Sequence, residues 1–170
     1  MTVSRPTALA NLRDPEITET SIMENGENAV TMLRQIKDLG VQLSIDDFGT
    51  GYSSLGYLQQ FPIDTLKIDR VFVRSMEEGR QNGEIVRAVL ALANSLNLEV
   101  VAEGIESIHQ YHKLRSLSCK YGQGYLFSPA LPKDGAESLL MDHGVWKSLL
   151  LGGDFVIVHS ERGQTDDRVH

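Results

Sequence analysis

Two adjacent carboxylates, Asp46 and Asp47, follow the short apolar run Val41 to Ile45 and lead into a glycine loop, Phe48, Gly49, Thr50, Gly51 and Tyr52. Paired acids at a strand end suit a hard divalent cation, which takes oxygen ligands. Gly49 and Gly51 give the loop freedom to fold over a ligand or to move. Taken alone, the pair also reads as a solvated loop or helix cap, the commoner use of Asp at turns. What sets it apart is its company. Glu16 and Glu19, Lys67 and Asp69, Glu103 and Gln123 recur around the ends of other β-prone segments. A set of acids with one Lys and one Gln, brought to one place, is the functional argument.

Strands must deliver these residues. Glu16-Ile-Thr-Glu19 is a very short β-prone piece, and Pro15 belongs at or outside its beginning. From Glu27 the period turns helical, with Ala29, Met32, Leu33, Ile36 and Leu39 on one face and Gly40 at the end. Strand Val41–Ile45 is followed by a helical piece around Leu55–Gln60. A third strand, Thr65–Asp69, comes after the turn at Pro62 and Asp64. Gly83 opens a helix with Ile85, Val86, Val89, Leu90, Ala93 and Leu96 as its apolar face, and Leu98–Ala102 reads as a fourth strand. Ile108, Tyr111, Leu114 and Leu117 mark the next helix, with Glu106 as its first-turn acid. A fifth strand is expected around Gly124–Phe127, a helix over Gly135–Leu151 and one more short strand at Phe155–Val158.

This rhythm predicts a parallel α/β architecture. In a β/α barrel the C-terminal strand ends share one rim, where active sites lie. A complete barrel takes about 250 residues. The chain has 170, and the prediction is an incomplete TIM-like (β/α) barrel with about five of the strands.

The net charge of −7 argues against a nucleic-acid-coating protein and a basic membrane-surface segment. Bound metal ions would still allow an anionic small substrate. A single cysteine, Cys119, excludes an internal disulfide framework and a Cys-rich zinc site, and reads as a small buried side chain. With no run of 18 apolar residues and no signal-peptide core, a cytoplasmic domain without a membrane segment is expected. Asp-Phe-Gly at 47–49 matches a protein-kinase motif, but the catalytic-loop His-Arg-Asp and the Gly-rich phosphate loop are absent. His109 and His112 lack a zincin pattern and read as exposed histidines.

Five motifs occur in order: Glu16-Ile-Thr-Glu19, Asp46-Asp-Phe-Gly-Thr-Gly-Tyr-Ser-Ser54, Leu66-Lys-Ile-Asp69, Val101-Ala-Glu-Gly-Ile-Glu106 and Gly122-Gln-Gly-Tyr-Leu-Phe127. Together they closely resemble the later part of the EAL-domain family of cyclic-di-GMP phosphodiesterases. The resemblance implies a TIM-like barrel with one antiparallel strand, which hydrolyses cyclic-di-GMP to linear pGpG with Mg²⁺ or Mn²⁺ and is inhibited by Ca²⁺. Carried over by position, Glu16 and Asp46 would be metal ligands, with Asp47 serving a second metal. Lys67 would contact the attacking water or the scissile phosphate. Glu103 would hold the water network and act as general base, with Gln123 in support. Glu19 would anchor the loop Phe48–Tyr52, which the resemblance also links to dimerisation. Two metals bridged by carboxylates and one fixed cation suit phosphodiester hydrolysis.

There are departures from the pattern. The tripeptide Glu-Ala-Leu, whose Glu the family uses as a metal ligand, occurs nowhere in the chain. The family's ligand Asn has no match either, since Asn11 lacks the context. Residues 1–15 read as a non-family segment, 16–145 as a partial, truncated EAL domain and 146–170 as an atypical tail. The expected function is a cyclic-di-GMP phosphodiesterase impaired by two absent ligands, with a homodimer or complementing chain as partner. The alternatives are an inactive cyclic-di-GMP-binding or protein-interaction domain, and a product that folds poorly.

Overall fold

Parallel strands cannot be joined by tight turns, so each must be followed by a crossover, and helices supply most of them. The computed structural model describes residues 15–23, 26–51, 55–77, 82–129 and 155–157. Its elements run β1 (Glu16–Thr18), α1 (Glu19–Met23), α2 (Gly26–Asp38), β2 (Ser44–Phe48), α3 (Leu55–Leu58), β3 (Thr65–Ile68), α4 (Arg70–Ser75), α5 (Asn82–Ser95), β4 (Glu99–Ala102), α6 (Ile108–Ser116), β5 (Tyr121–Gly122) and β6 (Val156–Ile157). The sheet order is β1-β2-β3-β4-β5-β6, and every described pair is parallel. This is the wall of an incomplete TIM-like barrel. The antiparallel strand implied by the resemblance is not among the described strands.

Strand parity decides which side chains face where. Ile45, Leu66, Ile68, Val100 and Ala102 share the side that packs against the helices, in one cluster with Leu33, Val86, Tyr111 and Leu114. Glu16, Ser44, Thr65 and Lys67 have the opposite parity and face the barrel interior. The apolar layer thus leaves the inner face to polar groups.

Several expectations need correction. Gly124–Phe127 is a turn, and the fifth strand lies earlier, at Tyr121–Gly122. Its register is set by pairing with Val101 and Ala102, whereas Phe127 packs edge-on against Tyr111 at a centroid distance of 6.0 Å. A helix absent from the sequence reading, α4, begins directly after β3. Asp69 caps it by accepting from Val71 N at 2.6 Å. Glu106 is not in the first turn of α6. It precedes the N-cap Ser107, and its N–H donates to Gln110 Oε1 at 2.7 Å. Met32, Leu39, Ile85 and Ile108 are exposed, because the buried arcs centre on residues such as Ala29 and Leu33, Val86 and Val89, and Tyr111 and Leu114. The short strand expected at Phe155–Val158 is present as β6 beside β5. The helix expected over Gly135–Leu151 lies outside the described residues.

Candidate active site

Neighbouring residues on a regular strand point to opposite faces, so Asp46 and Asp47 could not share a site on an ideal β2. The strand is not ideal. Ile45 pairs with Leu66 and Phe48 with Ile68, so three steps on β2 match two on β3. This is a bulge, a device that re-aims side chains beside sites. Asp47 occupies it at φ 55, a left-handed conformation that Asp tolerates better than most residues. The result is that Asp46, Asp47 and Glu103 each present a carboxylate oxygen within 4.8 Å of the others. Phe48 is buried beneath them, and Thr50 Oγ1 donates to Asp47 O at 2.8 Å.

Lys67 is at the centre of the acids. Its ammonium lies 2.6 Å from Glu103 Oε1, 2.8 Å from Glu16 Oε1 and 3.3 Å from Asp46 Oδ1. Burial by itself would disfavour the charged form. The hydrogen bonds to Glu103 and Glu16 and the charges of Glu103 and Asp46 outweigh it and hold the pKa above the ordinary lysine range. The acids nearest Lys67 in sequence, Asp64 and Asp69, are used elsewhere. Asp64 pairs with Lys37 and accepts from Leu43 N, while Asp69 caps α4.

Glu103 follows β4 directly and is buried, with Gln123 Nε2 donating to its Oε1 at 2.7 Å. Gln123 is fixed in turn by its main chain, which bridges Ala102 O and Ile105 N. Glu19, 1% exposed, accepts from Gly49 N at 2.8 Å and Gly51 N at 3.3 Å. Its carboxylate therefore ties α1 to the loop after the acid pair. Gly49 has φ 97, and a Cβ there would fall 2.9 Å from Phe72 Cε2, so glycine is required. Tyr52 lies outside the described residues.

Glu16 is not where strand-end reasoning put it. It is the first residue of β1, level with Ser44 and Thr65, and reaches the cluster only through its side chain. It is 48% exposed there. The sequence reading passed over Gln110, which is 2% exposed and whose Oε1 accepts from both Glu106 N and Ser107 N. The signal was present as Ser107-x-x-Gln110, a capping box. His109 and His112 are exposed, and Cys119 is buried.

Oxygen donors from Asp46, Asp47 and Glu103, with Glu16 beside them, fit a hard divalent cation. Lys67 supplies positive charge at the same place. The set can hold cations, polarise a phosphoryl group and accept a proton from water.

The sequence matches the family model described as EAL domain over residues 15–130. The cyclic di-GMP phosphodiesterase NbdA of Pseudomonas aeruginosa is 46% identical over 125 residues, covering 74% of this chain and 16% of that protein. The chain thus spans about a sixth of the length of that relative. Among solved structures, a PaMucR phosphodiesterase in complex with c-di-GMP superposes with a TM-score of 0.69 at 41% identity. That match covers 71% of this chain and 49% of the other. BlrP1 of Klebsiella pneumoniae, described in a manganese/cy-diGMP complex, gives 0.62 at 35% identity over 67% of this chain and 29% of that one. Among the described residues, no helix is long and apolar enough to cross a membrane.

Proposed function

Since the chain belongs to the EAL-domain family, we propose that it hydrolyses cyclic-di-GMP to linear pGpG in a divalent-metal site. The observation that carries this reading is the convergence of Asp46, Asp47 and Glu103 around Lys67 on the inner face of a parallel sheet. Glu16, Asp46, Asp47 and Glu103 are the residues to hold Mg²⁺ or Mn²⁺. Such cations polarise phosphoryl oxygens and ease the ionisation of water. A relative's calcium and manganese complexes with the nucleotide support a divalent ion in general.

In this reading Glu103 takes the proton of the attacking water. A new oxygen–phosphorus bond forms, the phosphorus–O3′ bond breaks, and O3′ leaves as a hydroxyl after gaining a proton from solvent. Lys67 holds a fixed positive charge where negative charge gathers on the phosphate. Gln123 keeps the Glu103 carboxylate in place through its 2.7 Å hydrogen bond. Glu19 holds the loop Phe48–Tyr52 through Gly49 and Gly51. The domain works in the cytoplasm, with a homodimer or a second chain as partner.

A second reading, nucleotide binding without turnover, is favoured by the engagement of Lys67 with three carboxylates, which places a protein cation among the acids that would hold a metal. One experiment separates them. The purified chain is incubated with cyclic-di-GMP and Mg²⁺ or Mn²⁺, and pGpG is read by chromatography. Turnover that Glu103→Ala abolishes establishes the first reading. Saturable calorimetric binding without pGpG establishes the second, and no binding at all sinks both.

A further inference from the structure

Burying a polar side chain costs free energy unless it is hydrogen-bonded, so each one asks for a reason. Among the described residues four polar side chains are buried: Glu19, Lys67, Glu103 and Gln110. The first three belong to the candidate site, and Gln110 so far has no part in it. Gln110 sits in the first turn of α6, a helix fixed to the core by the fully buried Tyr111 and Leu114. Its Oε1 accepts from Glu106 N at 2.7 Å and from Ser107 N at 3.1 Å. Those two groups end the segment that runs from Glu103 into α6. Earlier in it, Glu103 N donates to Ile68 O and Ile105 N donates to Gln123 O. Gln123 thus hangs on the same segment, and its Nε2 donates to Glu103 Oε1 at 2.7 Å. Ile105 has no room to absorb a displacement. It is fully buried, and Cβ atoms on Gly122 and Gly124 would fall 2.5 Å from its Cδ1 and 2.2 Å from its N. A shift at Glu106 therefore passes through Ile105 to Gln123, and from Gln123 to the Glu103 carboxylate.

We propose that Gln110 is a positioning residue for Glu103: its side-chain oxygen fixes the segment Glu103–Ser107 and so sets the carboxylate where a divalent cation would meet it. This deepens the function proposed above and rests on it. Capping α6 does not by itself explain the arrangement. A capping box requires only the bond from Ser107 N. The shorter bond, from Glu106 N, lies one residue further back toward Glu103 and adds nothing to the helix. Groups that orient a ligating side chain change metal affinity or activity by about 10- to 100-fold when they are removed.

The test compares calorimetric Mn²⁺ titrations of the full chain and three variants. Gln110→Met removes the acceptor at similar length, and Gln110→Glu keeps one. Ser107→Ala breaks the other half of the cap, in which Ser107 Oγ accepts from Gln110 N at 3.2 Å and donates to Glu77. Gln110→Met should weaken Mn²⁺ binding by about 10- to 100-fold. Gln110→Glu, the other residue that a capping box takes at this place, should recover most of that loss. Ser107→Ala should lower the melting temperature as Gln110→Met does, yet bind Mn²⁺ like the parent. Coupling is reciprocal, so in the parent itself Mn²⁺ should slow amide exchange at Glu106 and Ser107, a measurement that needs no variant to fold. Parent-like Mn²⁺ affinity in Gln110→Met overturns the proposal. So does an equal loss in Ser107→Ala, or exchange at both amides that Mn²⁺ leaves unchanged. A parent chain that binds no Mn²⁺ defeats the function proposed above and this proposal with it. One that binds Mn²⁺ without forming pGpG defeats hydrolysis alone, and the affinities still decide the role of Gln110.

Discussion

Replacing Lys67 with Met tests the electrostatics of the site without asking for catalysis. Met is close to Lys in length and shape, so the cavity stays filled while the ammonium goes. Its three partners do not count equally. Glu16 is 48% exposed and solvent screens it, whereas Glu103 is 4% exposed and keeps little water. The cost is therefore set by stranding Glu103, and removing one member of a buried pair costs about 3–5 kcal/mol. At about 2–4 °C per kcal/mol for a chain of this size, the melting temperature should fall by about 6–20 °C. Urea unfolding in chelator should show a lower midpoint with an unchanged slope. Mn²⁺ at a hundred times the variant's dissociation constant should stabilise Lys67→Met by about 2.7 kcal/mol, and the parent by less at the same concentration. The double variant with Glu103→Gln should recover much of the loss, since no buried charge is then left alone. A Lys67→Met chain within about 0.5 kcal/mol of the parent, in the range of an ordinary surface change, would refute the picture of a buried, mutually neutralised cluster.

Other outcomes follow from the same geometry. Glu19→Ala strips the acceptor from Gly49 N and Gly51 N and should cost about 1–3 kcal/mol. Amide exchange at those two glycines should quicken, and unchanged protection would show that the loop holds itself. Gly104→Ala forces a left-handed alanine against Arg70 and should cost about 2–5 kcal/mol, from strain plus overlap. A melt equal to the parent's would contradict that close approach. Burial pushes the Cys119 thiol up from 9.0 to about 11. The folded chain then keeps a proton that the unfolded chain releases, so stability is complete below about pH 9 and falls as pH rises toward 11. The loss is at most about 3 kcal/mol. The slope between about pH 9 and 10 should flatten in Cys119→Ala, and an unchanged slope there would assign it to another group.

The sequence made the β/α alternation legible because parallel strands buried beneath helices are apolar and end in polar residues. It also brought Lys67, Glu103 and Gln123 to one rim. What it hid was local geometry. Simple alternation would have sent Asp47 away from Asp46, and nothing in Ser44–Phe48 announces the bulge. Helix α4, with six residues, is too short to show a period, and its cap Asp69 also reads as a strand end. The aromatic run Gly124–Phe127 looks like a strand by propensity. It is overruled because β4 ends at Ala102, opposite Gly122. Gln110 escaped notice because its work is done through one side-chain oxygen on two main-chain N–H groups.

A strand with one residue more than its neighbour can lose it. Without Asp47, Ile45, Asp46 and Phe48 would step evenly against Leu66, Lys67 and Ile68, so the wall would close as before. The pair of acids would be gone, and with it the turn through which Thr50 holds the loop. Scaffold and chemistry are separable here at a single codon. A chain shortened by one residue at this point should fold with the same strand order and the same buried layer. It would be a silent copy of the parent, alike in every element except the one that made the site.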